Sequence, residues 1–270
     1  MTSILLINPN TSARSTEMML AVARPLLPAT VELRGTRATR GSAMILDEVA
    51  LEQAEAEVVR IGLAERGAVN AVVVAAFGNP GVQELRDVLP VPVIGIGEAA
   101  VREAAAGDRR FGVATTTPAL VRSIEAGVRR LGLEAGFTGV RVPAGRDPHA
   151  LAANPADQED ELALAARQCV ELDGAEAVVI GGGPLSEAAA RLRCRLRTTI
   201  IEPVPAAIRH ILAALAAPDA LSQCSHPSGG TSRSPRPLPR AGRAPVRQNQ
   251  AMDGPECVSD AWLGEGPCRV

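Results

Sequence analysis

Residues 71–81 read AVVVAAFGNPG, and residues 177–185, 106 positions further on, read AVVIGGGPL. Each begins as a short, mostly β-branched apolar run and ends in Gly, Asn or Pro, the pattern of a strand entering a turn. Two more pairs of segments keep almost the same offset. Residues 4–7 run into Asn8-Pro9-Asn10-Thr11-Ser12, and residues 111–114 into Thr115-Thr116-Thr117-Pro118, with 107 positions from Asn8 to Thr115. Residues 91–94 lead to GIGEAA at 95–100, and residues 198–201 to EPVPAA at 202–207, again 107 positions from Ile94 to Ile201. Three independent pairs at nearly one spacing predict two copies of a β/α unit, residues 1–107 and 108–216.

In both copies the strand segments are apolar on both faces, and helical stretches such as 47–67 and 158–172 lie between them. That is the signature of a parallel sheet covered on both sides. The expected fold is therefore α/β, two similar domains related by pseudo-twofold duplication, each a parallel β-sheet flanked by helices. Such sheets bind ligands at their carboxyl edges, where the Gly, Asn, Thr and Pro clusters fall, so the two copies are expected to enclose one cleft. Beyond Ala217 the composition changes. Residues 222–247 are rich in Ser, Pro, Gly and Arg without helical or strand period, so 217–270 reads as a disordered tail. The proline run at 235–239 carries the alternative of an extended partner ligand.

Composition narrows function. The 270 residues, 46% of them hydrophobic, are enough for one large core or two smaller ones. With 28 basic against 30 acidic side chains, no field for a polyanion is expected, and nucleic acid is an unexpected partner. Apolar runs are short and broken, which argues against a membrane span, and Met1 leads straight into a strand-like segment, so a cytoplasmic protein is expected. The chain contains no lysine and no tyrosine. Internal Schiff bases to pyridoxal phosphate and phosphate-loop lysines are thereby excluded. Five cysteines without CxxC spacing and three scattered histidines predict neither a metal site nor a disulfide framework. The expected partner is a small-molecule substrate, with self-association left open.

Taken together, NPNTS at 8–12, AFGNPG at 76–81, PVIGIGEAA at 92–100, FGVATT at 111–116 and GGGPL at 181–185 resemble the aspartate/glutamate/hydantoin racemase superfamily, most of all its hydantoin and allantoin racemase branch. The resemblance covers about residues 1–215. It implies two α/β halves with substrate between them, no cofactor, and proton transfer by two thiols on opposite faces of one carbon. By motif, those thiol positions fall on Ala76 and Gly182, neither of which carries a proton. An isomerase with substituted acid/base groups is then the leading expectation, beside a lyase or decarboxylase of the same superfamily and a catalytically silent binding protein.

Substrate contacts are expected from Asn10, Thr11, Ala76, Phe77, Thr115, Thr116, Gly182 and Gly183, with Ser12 and Thr117 read as helix caps. Candidate replacement bases are Glu98, Glu202, Ser186, Glu187 and His149. Glu98 and Glu202 are equally well read as complements to helix dipoles, and His149 as a surface residue. Cys169, in the helical stretch before a strand, and Cys194, following another helix, read as small buried apolar residues. The run Gly95-Ile96-Gly97-Glu98-Ala99-Ala100 formally matches a dinucleotide fingerprint, but no acidic residue follows at the expected distance and the second copy lacks both glycines.

Overall fold

The computed structural model of the protein describes residues 1–217; the expected tail and its proline run lie outside the described residues, apart from Ala217. The chain order is β1 (Thr2–Asn8), α1 (Ala13–Ala23), β2 (Val31–Arg37), α2 (Glu48–Ala64), β3 (Ala71–Val74), α3 (Val82–Val88), β4 (Val93–Gly95) and α4 (Ile96–Ala104). It continues with β5 (Phe111–Ala114), α5 (Val121–Arg130), β6 (Phe137–Arg141), α6 (Pro148–Ala153), α7 (Pro155–Glu171), β7 (Ala177–Ile180), α8 (Ser186–Arg195), β8 (Thr199–Ile201) and α9 (Pro203–Ala216). Two four-stranded sheets result, ordered β2-β1-β3-β4 and β6-β5-β7-β8, every pair parallel. The order is the same in both halves.

Side-chain alternation along the strands sets the layers. On β1, Ile4 and Leu6 enter a central core while Leu5 and Ile7 enter an outer one under α2 and α3. On β7, Val179 faces the central core while Val178 and Ile180 face an outer core under α7 and α8. The central core takes residues from both sheets and from α1, α4 and α9. The last helix of each half crosses over: α4 packs against β7 and β8, and α9 against β3 and β4. One continuous apolar layer therefore joins the two sheets. Among the described residues no helix is long and apolar enough to cross a membrane.

Two strands were not among the six expected segments. Edge strands β2 and β6 bury none of their residues fully, and they lack the apolar runs that mark β1, β3, β5 and β7. The stretch 143–155, which carries His149, contains α6. Its N-terminus is set by Asp147, whose carboxylate accepts from the backbone N–H of His149 and Ala150, and by Pro148 in the first turn.

Candidate functional site

In a sheet ordered 2-1-3-4, the chain leaves β1 toward one edge and β3 toward the other, which opens a crevice beyond the carboxyl ends of these two strands. The same holds for β5 and β7. The residues there are Asn10 after β1, Ala75 to Gly78 after β3, Thr116 and Thr117 after β5, and Gly181 to Leu185 after β7, and all of them line a single cavity. Its free interior is about 90 Å³.

The floor is built by hydrogen bonds internal to the loops. Asn8 is fully buried; its Nδ2 donates to Asn10 Oδ1 at 2.9 Å and to Thr16 Oγ1 at 3.0 Å, and its Oδ1 accepts from the Asn10 N–H at 3.2 Å. Asn10 Oδ1 also accepts the Ser12 N–H at 2.9 Å. A backbone N–H can only donate, so Oδ1 is fixed on that side and the Asn10 amide NH₂ is left as the donor for the cavity. Ser12 caps α1 by accepting from the Ser15 N–H. Thr117, expected as a cap, makes no capping bond; its hydroxyl meets Thr115 Oγ1 at 3.0 Å.

Of the expected contact residues, Asn10, Ala76, Phe77, Thr116, Gly182 and Gly183 come together on the cavity wall. Thr115 and Thr11 do not. Thr115 lies buried beneath the wall and donates to the Gly181 carbonyl at 2.7 Å, tying the ends of β5 and β7. The Thr11 N–H instead binds the Ser42 carbonyl. The wall also holds Met44, Ile45, Leu51, Leu120, Ser123, Ile124 and Gln158, which strand-end motifs did not mark because they come from the β2–α2 loop and from helix faces.

Among the described residues, no ionisable side chain lines the cavity. Ser186 is fully buried and its hydroxyl donates to the Gly183 carbonyl at 2.6 Å. Glu98 pairs with Arg86 and accepts from the Gly95 N–H, and Glu202 pairs with Arg193 at 3.3 Å. Glu187 and His149 line a neighbouring groove with Arg14, Asp47 and Arg191, which shares Met44, Ala152, Gln158 and Pro184 with the cavity. A second groove, on the other side, holds Glu48, Glu52, Glu55 and Glu84 facing Arg122 and Arg130. There Glu55 is pushed above the ordinary carboxylate range by burial and by Glu84 and Glu52. Burial pushes the Cys169 thiol up to about 12, consistent with an inert apolar residue, whereas Cys194, expected to be buried after a helix, lies within α8 and is exposed. Among the described residues no group of three or more His, Cys, Asp or Glu could hold a metal ion.

The glycines of the 95–97 run serve packing. Asn79 Oδ1 accepts from the Gly97 and Glu98 N–H groups at 2.9 and 3.2 Å, so the start of α4 is capped from within. A Cβ on Gly97 would stand 1.9 Å from the Phe77 carbonyl oxygen. A pyrophosphate would need those same amides and that same space.

Residues 4–211 match the family described as Asp/Glu/Hydantoin racemase. The chain is 34% identical over 223 residues to a hydantoin racemase of Rhizobium meliloti, covering 82% of this chain and 91% of the relative. It is 28% identical over 216 residues to a hydantoin racemase of Paenarthrobacter aurescens, covering 76% and 88%. The structure of an allantoin racemase from Klebsiella pneumoniae superposes with a TM-score of 0.75 at 27% identity, over 80% of this chain and 88% of that one.

Proposed function

We propose, on the footing that this chain belongs to the Asp/Glu/hydantoin racemase family, that it is a cofactor-independent isomerase of the hydantoin-racemase type, acting on a small cyclic ureide or carboxylate held between residues 1–107 and 108–216. The observation that carries this reading is the single cavity walled by strand-end loops of both sheets, with Ala76 and Phe77 from one and Thr116, Gly182 and Gly183 from the other. The names of the relatives, racemases of hydantoins and of allantoin, point to the same chemical class.

Removing the proton beside a carbonyl leaves a planar carbanion whose charge sits largely on oxygen. Donors aimed at that oxygen lower the barrier. The Asn10 amide is one, and the backbone N–H groups of Ala76, Thr116 and Gly182 have no acceptor among the described residues. The proton itself must leave to a group outside the lining, in one of the flanking grooves or in water. Turnover is therefore slow, because a positioned acid or base contributes about 10² to 10⁴ in rate.

Incubation in D₂O with 5-methylhydantoin, allantoin, aspartate and glutamate, followed by proton NMR, tests this. Slow exchange of the α-hydrogen, above the buffer rate and unaffected by thiol reagents, is expected with a ureide or a carboxylate of this set. The absence of an ionisable lining group among the described residues favours one second reading, a binding protein without turnover: ligand binding with no exchange above buffer establishes it in place of the isomerase. Carbon dioxide release from a substituted malonate would instead mark the decarboxylase chemistry of a lyase.

A further inference from the structure

Two threonine hydroxyls decide what the cavity wall can read. Thr115 Oγ1 lies 2.7 Å from the Gly181 carbonyl oxygen and 3.0 Å from Thr117 Oγ1. A hydroxyl has one hydrogen, and a carbonyl oxygen can only accept. The Thr115 hydrogen therefore goes to Gly181, and in the second contact Thr117 is the donor. With its hydrogen spent on a buried partner, Thr117 has only lone pairs to offer the cavity it lines.

We infer that Thr117 is a specificity-determining residue whose Oγ1 accepts a ring N–H of the ligand, so that the site selects a ureide or imide edge over a carboxylate. The inference rests on the proposed cyclic-ureide function and deepens it. Asn10 supplies the complementary half, since its Oδ1 is held by Ser12 and Asn8 and only its NH₂ remains for a ligand carbonyl. An edge carrying both N–H and C=O satisfies this donor and acceptor together. A carboxylate carries acceptors alone and would set its lone pairs against those of Thr117, with no cation among the described residues of the lining to compensate. Thr117 reads from the sequence as a helix cap because its polarity is set, through Thr115, by Gly181, 64 positions further along the chain.

Calorimetric titration of the full chain with 5-methylhydantoin and its 1-methyl and 3-methyl derivatives tests the assignment. One of the two N-methyl isomers is expected to bind at least about tenfold more weakly than the parent, the scale of one lost hydrogen bond in an enclosed site. Thr117→Val, which keeps the shape and removes the acceptor, is expected to erase that discrimination by weakening the parent, while Thr117→Ser retains it. If the parent binds and both N-methyl isomers bind equally well, the inference falls and the ureide function stands. A discrimination that persists in Thr117→Val is steric and also overturns it. If the parent does not bind at all, the ureide reading itself fails, and the inference with it.

Discussion

At Ala76 the side chain stops at Cβ, on the wall of a cavity with no ionisable lining group among the described residues. A thiol there would be the cavity's one proton carrier from the first sheet. Ala76→Cys is expected to raise α-hydrogen exchange by about 10² to 10⁴ without inversion, since a single group serves a single face. Exchange followed together with optical rotation checks it. Gly182 stands at the matching position of the second sheet, but with a φ of 157° and ψ of 132°, and an added Cβ would lie 3.1 Å from Leu185 Cγ. Gly182→Cys is thus expected to cost roughly 1–3 kcal/mol in urea unfolding, because this region of backbone space is hostile to side chains. An unchanged midpoint would show that the loop relaxes freely. Residues that lie on strand ends, such as Asn10 and Ala76, could be placed from sequence, because a strand run fixes where its carboxyl edge falls. Gln158 and Ser123 could not, since they reach the wall only through the packing of α7 and α5.

One loop, residues 38–47, brings Met44 and Ile45 to the cavity, and it is tethered by Glu57 of α2, whose carboxylate accepts from the Thr39 N–H and hydroxyl, both at 3.3 Å. Arg60, first of all, and then Thr39 hold the Glu57 carboxyl down to about 2 from its ordinary 4.5, against an opposing push from burial. A folded value below the unfolded one stabilises the fold fully above about pH 4.5, and that contribution fades as pH falls through about 2. Stability of the native chain should therefore decline more steeply than that of Glu57→Gln across this window, followed by denaturant midpoints at each pH. At neutral pH the same substitution is expected to weaken ligand binding a few-fold by loosening the tether. Equal pH profiles for the two chains would show that Glu57 titrates alike folded and unfolded. This tether leaves no trace in the sequence, whereas α2 itself does: its pattern ran over 47–67 and the helix spans Glu48–Ala64. Core strands and long helices advertise themselves through burial; β2 and β6, with nothing fully buried, do not.

Across the whole molecule the repeat offset pointed to two parallel sheets flanked by helices, and two four-stranded parallel sheets are present. It could not show that α4 and α9 cover each other's sheets, since an offset says nothing about which sheet a helix packs on. The exchange makes the two halves share one core, and neighbouring positions on α9 separate what holds it. Ile208 is fully buried in the central core, while Arg209 reaches Glu103 of α4 at 2.7 Å with half of its side chain still exposed. An exposed ion pair contributes about 0–1 kcal/mol, whereas truncating a buried isoleucine to alanine costs about 2–5 kcal/mol, through lost transfer energy and the void left behind. Ile208→Ala is accordingly expected to lower stability several-fold more than Arg209→Ala, and to lower it for the folded unit as a whole. Because the lost contacts belong to the layer between the sheets, a single transition seen both by far-ultraviolet circular dichroism and by amide exchange on β3 and β7 should move together. If Ile208→Ala loosened only β7 and left β3 protected, the halves would unfold separately and the shared core would not be what couples them.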